Sequence, residues 1–253
     1  MSGDGLLQFD WPLPRGVRAA FTTRNGGTSL APWDSFNVAG HVGDAASAVA
    51  ANRAHLLSRL ALPSEPAWLN QVHGSEVVDL DSGQVSGGPV SSGPITGDAS
   101  ITGAAGRVCV IMVADCLPVL FASHDGRRIG AAHAGWRGLA GGVLEATVKA
   151  LAVDPGTLTA WLGPAISREH FEVGADVRYA FLGSDPGAAP LFSPNARGRW
   201  QADLVGLARR HLERLGVGSI TGGAWCTYAD RTRFYSYRRD GGGGRMAALI
   251  WKE

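Results

Sequence analysis

The amino-acid sequence predicts a mixed α/β fold in one domain. Three observations carry this: short apolar runs of strand length, longer segments with apolar residues at helical spacing, and interspersion of the two without a fixed repeat. At 253 residues the chain is long enough to bury a large core as a single α/β unit spanning 1–253.

Taken in order, residues 17–23 read as a strand stopped by Arg24-Asn25-Gly26-Gly27, where Asn-Gly and the extra glycine favour the positive φ of a tight turn. Asp44 reads as the cap of a helix whose Val49, Leu56, Leu57 and Leu60 fall on one face until Leu62-Pro63 ends it. That helix should cover a sheet. Residues 108–113, 119–121 and 129–132 read as neighbouring central strands, the last two separated by the turn-like Ser123-His124-Asp125-Gly126. Cys116 follows the first of these strands and His133 the third, so a hairpin would bring both to one end of the sheet. Helices are expected over 142–151, 174–181 and 203–215, the last amphipathic through Leu204, Leu207, Ala208, His211 and Leu215. Strands are expected over 158–162 and 246–251, the latter tying the C-terminal segment into the core. Residues 82–97 and 183–198, rich in Gly, Ser and Pro, read as surface loops or lids.

Composition narrows the function classes. A formal net charge of +1 offers no basic field for nucleic acid and no acidic tail. No window is apolar for the roughly 18–20 residues of a membrane span, and the first ten residues carry Asp4 and Asp10, unlike a secretory signal. Three cysteines make a poor disulfide framework and fit a reducing compartment, so the chain reads as cytoplasmic.

Three segments carry chemistry: Asn70-Gln71-Val72-His73-Gly74, Ala114-Asp115-Cys116-Leu117-Pro118 and His133-Ala134-Gly135-Trp136-Arg137-Gly138. Each places one metal-competent side chain at the end of an apolar run. Two imidazoles and a thiolate form a three-ligand set for Zn²⁺ that leaves the fourth position for water or substrate, as in catalytic rather than structural zinc. The spacings are 43 and 17 positions, so no short zinc motif supports the set and geometry must supply the rest. Gln71 and Asp115 read as residues that orient the ligands, with backbone capping as the alternative, and Asp98 reads similarly. Cys109 reads as packing. Trp33, Trp68, Trp161 and Trp225 read as core before base-stacking platforms. Arg238-Arg239-Asp240 and the four glycines after it read as a flap or a hairpin tip.

On these residues the chain resembles the YfiH family, also called laccase-domain or multicopper polyphenol oxidase proteins. The matching segments are Thr22 to Gly27, His41-Val42-Gly43-Asp44, Asn52-Arg53, Asn70 to Gly74, Ala114 to Leu120 and His133 to Gly138. They continue through Trp161 to Ile166, Phe171 to Gly174, Cys226-Thr227, Phe234 to Asp240 and Gly244-Arg245-Met246-Ala247. The resemblance implies a mixed-sheet sandwich with helices on the outside, and zinc held by His73, Cys116 and His133. It further implies phosphorolysis of adenosine, inosine, guanosine and methylthioadenosine, with adenosine deamination as a companion activity. Phosphorolysis requires the phosphate charge to be offset beside the sugar, and Arg24, Arg137 and Arg238 are the candidates.

The oxidase name is testable on composition. Seven histidines, none in a His-x-His pair, do not supply the ligands of a multicopper relay, although one copper in the same His₂Cys set would permit weak oxidation. The His-x-Glu and Pro-Cys-x-x-Cys pattern of nucleobase deaminases is absent. Alternative readings are a copper-dependent polyphenol oxidase, an amidase editing peptidoglycan precursors of the UDP-MurNAc-L-Ser kind, and a zinc-binding interaction module without enzymatic activity.

Overall fold

The longest apolar runs form strands buried on both faces, and that decides the layering. Residues 108–113, VCVIMV, are buried without exception, and so are the two strands that follow. A strand of this kind needs cover on each side.

The computed structural model describes residues 5–82, 84–85, 88–89 and 95–253. Its strands are β1 (Val17–Phe21), β2 (Val77–Asp79), β3 (Gln84–Val85), β4 (Gly88–Pro89), β5 (Ala99–Thr102), β6 (Val108–Val113) and β7 (Leu117–Ser123). They continue as β8 (Ile129–Ala134), β9 (Leu158–Leu162), β10 (Glu172–Val173), β11 (Phe192–Pro194), β12 (Trp200–Ala202), β13 (Ser219–Gly222) and β14 (Met246–Lys252). The helices are α1 (Ala46–Arg59), α2 (Trp136–Ala140), α3 (Val143–Leu151), α4 (Ala175–Leu182), α5 (Leu204–Arg214) and α6 (Tyr237–Asp240). A large mixed sheet runs β13-β9-β7-β8-β5-β2-β3-β4, with β13·β9 and β2·β5 parallel and the other pairs antiparallel. A second sheet, β1-β14-β6, is antiparallel, and a small third sheet runs β10-β12-β11.

Alternation along the strands sorts the core into layers. Cys109, Ile111 and Val113 of β6 meet Leu120 and Ala122 of β7 between the two main sheets. Val108, Val110 and Met112 face the other way, onto Leu56 of α1. Leu117, Val119 and Phe121 of β7 pack under Val143, Leu144 and Val148 of α3 and Leu207 and Leu212 of α5. The order is helix, sheet, sheet, helix, as the family resemblance implied. Burying a side chain such as Phe121 stabilises by about 1.5–3 kcal/mol, so a one-residue slip that exchanged the faces of β7 would be strongly disfavoured.

Several expectations need correction. The 108–113 strand is not a neighbour of the next two: it pairs with β14 in the second sheet, while β7 and β8 form the hairpin in the large one. Asp44 does not cap α1, which begins behind Ala45 without a side-chain cap. The Asp44 carboxylate instead accepts from Ser29 Oγ at 2.7 Å and Asn37 Nδ2 at 2.9 Å. Residues 183–198 are not a plain loop, because Pro186–Leu191 forms a 3₁₀ helix capped by Asp185 and leads into β11. Within 82–97, the positions 83, 86–87 and 90–94 lie outside the described residues, and 84–85 and 88–89 pair as the edge strands β3 and β4. The segment after Ser236 is a helical turn rather than a hairpin tip. Arg239 anchors it by donating to the carbonyls of Thr227, Tyr228 and Phe234. Among the described residues no helix is long and apolar enough to cross a membrane.

Candidate metal centre

The chain crosses from the second sheet to the large sheet at Ala114-Asp115-Cys116, and Asp115 makes the corner with a φ of 84°. Aspartate tolerates this left-handed conformation better than most side chains because its short carboxylate bonds locally. Here Oδ1 accepts from Thr227 Oγ1 at 2.6 Å, and Oδ2 accepts from Ser236 Oγ at 2.9 Å and from the Arg238 amide at 2.7 Å. Both oxygens are therefore occupied. Asp115 fastens two later segments to the corner and fixes where Cys116 leaves it, which suits a positioning role and not that of a free base.

The hairpin supplies the second candidate ligand. Its register sets Pro118 opposite His133, so Cys116 and His133 meet at the same end of the sheet. Fully buried Asp98, one residue before β5, accepts from His133 Nδ1 at 2.8 Å. The same carboxylate accepts the backbone amides of Val72, His73 and Gly74 at 3.1, 2.9 and 2.7 Å. His73 has a φ of 63°, and the three amides converging on Asp98 hold its loop in that conformation. One buried carboxylate thus orients both histidines. Gln71 serves the same loop differently: its Nε2 donates to the Met112 carbonyl at 2.9 Å and its Oε1 accepts the Met112 amide at 2.8 Å. Its amide therefore pairs with backbone, the capping alternative, and does not reach a histidine ring.

The nitrogen and sulfur atoms that His73, Cys116 and His133 offer all lie within 4.8 Å of one another, with Cys116 Sγ 3.8 Å from His73 Nε2. Sulfur and nitrogen on a tetrahedral zinc, at bonds of about 2.3 and 2.0–2.1 Å, stand roughly 3.6 Å apart. A carboxylate can only accept, so Asp98 assigns the proton to His133 Nδ1 and leaves Nε2 for a metal. The donor set fits zinc.

Burial alone would push the Cys116 thiol up. The imidazoles of His133 and His73 outweigh it and bring the pKa down to about 6. Cys109 has no such neighbours and is pushed up to about 12 by burial. Iodoacetamide labelling of the metal-free protein, read by peptide mapping, should therefore modify Cys116 at pH 7, slow as pH falls through about 6, and leave Cys109 unmodified. Zinc should protect Cys116.

Gly135 lies against the ligands. A methyl group there would stand 2.9 Å from Cys116 Sγ and 3.0 Å from His73 Cδ2, although the backbone, at φ −62° and ψ 158°, accepts alanine. Gly135→Ala is expected to lower zinc affinity about 10-fold while shifting Tm little, checked by chelator competition and thermal unfolding.

The three candidate ligands line a cavity of about 470 Å³, within the range of small-molecule sites. Trp136, Phe171 and Tyr237 give it aromatic walls, and Arg137, Arg238 and Arg245 reach it from three segments. Arg24 does not: it lies over Tyr235 at 4.8 Å and bonds Asp34 and the Arg231 carbonyl, which removes it from the anion candidates. Trp33, Trp68, Trp161 and Trp225 also stay outside the cavity lining, and Trp161 is fully buried. Cys226 is outside it as well, its sulfur accepting the amides of Ser167 and Ala229 at 3.4 Å.

Residues 18–253 match the family described as multi-copper polyphenol oxidoreductase laccase. The chain belongs to that family. It is 49% identical over 243 residues to the purine nucleoside phosphorylase PA4543 of Pseudomonas aeruginosa, covering 96% of each chain. It is 48% identical to the purine nucleoside phosphorylase YfiH of Escherichia coli, covering 97% of this chain and 98% of that one. The crystal structure of Neisseria meningitidis protein NMB0706 superposes with a TM-score of 0.92 at 46% identity, over 99% of this chain and 100% of that chain. YlmD of Geobacillus stearothermophilus superposes at 0.90 with 31% identity, over 100% of this chain and 98% of that one.

The copper in the family's description meets a single ligand cluster here. Among the described residues, His73, Cys116 and His133 are the one group of three or more side chains spaced for a metal. His55, His124, His170 and His211 do not line the cavity. Sequence reasoning missed His41, Trp136, Tyr237 and Arg245 as lining residues, although His41 and Arg245 stood in segments shared with the family and Trp136 lay three positions after a ligand.

Proposed function

We propose that this chain is a zinc-dependent purine nucleoside phosphorylase acting in the cytoplasm on adenosine, inosine, guanosine and methylthioadenosine, with adenosine deamination as a companion activity. The observation that carries the reading is the convergence of His73, Cys116 and His133, spaced so that they could hold a metal ion, on the wall of a cavity large enough for a nucleoside. Relatives named purine nucleoside phosphorylase, 49% and 48% identical along nearly the whole chain, support the same reaction class.

Phosphorolysis breaks the C1′–N9 bond and forms a C1′–O bond to hydrogen phosphate. The electron pair of the broken bond leaves with the purine, which takes up the proton of the attacking phosphate. His73, Cys116 and His133 would hold a zinc ion, which when bound would supply a Lewis acid for an oxygen or nitrogen of the substrate. Asp98 keeps the two imidazoles aimed at the cavity, and Asp115 keeps Cys116 there. Trp136, Phe171 and Tyr237 offer faces for a purine.

The test is product analysis. Zinc-loaded protein incubated with inosine is expected to release hypoxanthine and ribose-1-phosphate only when phosphate is present. Release of free ribose without phosphate, or no release from protein that retains zinc, would overturn the reading. In the second case hydrolysis of a muramyl-linked L-Ser substrate becomes the reaction to examine.

A further inference from the structure

Arginines on this protein are commonly matched to carboxylates: Arg210 and Arg214 share Asp185, Arg197 holds Glu172, Arg239 holds Asp240 and Arg24 holds Asp34. Arg137, Arg238 and Arg245 are among the arginines without such a partner, and what sets them apart is that all three line the metal-ligand cavity. Among the described residues, none of them forms an ion pair. Arg137 is laid over Trp136 at 4.4 Å, which fixes its plane without engaging its N–H groups. Arg238 donates Nη1 to the Glu172 carbonyl, and its own amide is held by Asp115 beside Cys116. Arg245 donates Nη1 to the carbonyls of Gly243 and Gly244, leaving Nε and Nη2 without a bonded acceptor among the described residues.

The carboxylate in this lining, Asp115, already accepts from Thr227, Ser236 and Arg238. Positive charge thus exceeds negative in a confined space, and the field reaches neighbouring groups: burial, Arg245 and Arg53 together hold the His41 imidazole below its usual range. Three guanidiniums outnumber the Asp115 carboxylate and the Cys116 thiolate around this cavity, so a further anion joining them would be favoured.

We infer that Arg137, Arg238 and Arg245 form the subsite for free inorganic phosphate. The inference rests on the phosphorolysis proposed above. Planar N–H forks from three directions suit a tetrahedral dianion, because each can donate in pairs to its oxygens. Positioned there, the phosphate shares one cavity with the metal ligands and the aromatic faces.

The probes are inorganic phosphate, inosine and AMP, used on zinc-loaded protein. Arg137→Gln, Arg238→Gln and Arg245→Gln are each expected to raise the KM for phosphate about 10-fold or more, with the KM for inosine within about twofold and zinc content unchanged. Arg18→Gln, which removes an exposed pair with Glu253, serves as the control. Among the described residues the Arg137 guanidinium donates no hydrogen bond and only lies over Trp136, so its variant keeps the test open if Arg245→Gln fails to fold. Calorimetric titration with phosphate, without nucleoside, should show binding to the parent protein that weakens in the same variants. Inosine cleavage with an unaltered phosphate KM in all three variants would overturn the subsite and leave the phosphorylase reading intact. Phosphate binding that depends on these arginines in a protein that does not cleave inosine would retain the subsite and overturn the reaction. Tighter binding of AMP than adenosine, lost in the arginine variants, would assign the site to a phosphate ester and overturn the free-phosphate assignment.

Discussion

Replacing Asp98 with Ala is expected to lower zinc affinity about 10–100-fold and destabilise the fold by about 3–5 kcal/mol. The carboxylate is fully buried and accepts from His133 Nδ1 and from the amides of Val72, His73 and Gly74. Alanine would leave those donors without a partner inside the protein, where each costs about 1–3 kcal/mol. The loop that presents His73 and the tautomer of His133 would be lost together. Asp98→Asn keeps an acceptor for the amides but no charge toward the imidazole, so it should retain more stability than Ala while still weakening zinc binding. Urea unfolding and chelator competition measure the two effects separately.

The same carboxylate makes the fold acid-sensitive in a defined direction. Burial opposes ionisation, but the hydrogen bond from His133 and the amides of Gly74 and Val72 outweigh it and hold the Asp98 pKa below its ordinary value. A depressed carboxylate stabilises the folded state above the unfolded pKa of about 3.9 and loses that contribution as pH falls through the lower folded value. Stability measured from pH 5 downward should drop more steeply in the parent than in Asp98→Asn.

Cys116→Ala is expected to remove both the metal and nucleoside cleavage. A thiolate with a pKa near 6 is present at neutral pH without help from a metal, so losing it removes the anionic ligand of the set. Two histidines would remain, too few for tight zinc binding. Losing several kcal/mol of Lewis-acid stabilisation corresponds to at least about 10³-fold in kcat. The fold should survive, because Cys116 is only partly buried and sits at the edge of the inter-sheet core. Circular dichroism with a kcat measurement checks both halves.

Much of the fold was legible in the sequence because the signals were local. The β7–β8 hairpin announced itself through Asp125-Gly126, with Gly126 at a φ of 69°, between apolar runs. Helix α5 did so through its apolar stripe, and the structure adds a cap at Asp203, whose carboxylate accepts the Gly206 amide at 2.8 Å. Which sheet each strand joined was not legible, since β6 and β7 are both buried on two faces and their separation depends on a single left-handed Asp115. Strand β5, ASIT, is short and buried throughout, so it lacks the alternation that marks a strand. The polar stretch 183–198 became structured because Phe192 and Ala188 reach the core while Asp185 caps the turn.

The candidate site divides along the same line. The three ligands stood out as reactive side chains in unusual surroundings, and the structure brings them together. Asp98 was underweighted because its role depends on amides about 25 positions away. Arg24 and Arg245 show the same limit from opposite sides: both are arginines in segments shared with the family, and only tertiary contacts reveal that Arg24 is tied to Asp34 while Arg245 opens into the cavity.

One open zinc site made by His73, Cys116 and His133 underlies each of these expectations. Metal analysis with X-ray absorption at the zinc edge tests it most directly. About one zinc per chain is expected, with a single sulfur at about 2.3 Å and nitrogen or oxygen neighbours at about 2.0–2.1 Å. Zinc with no sulfur neighbour, or equal zinc retention by Cys116→Ala, would contradict it.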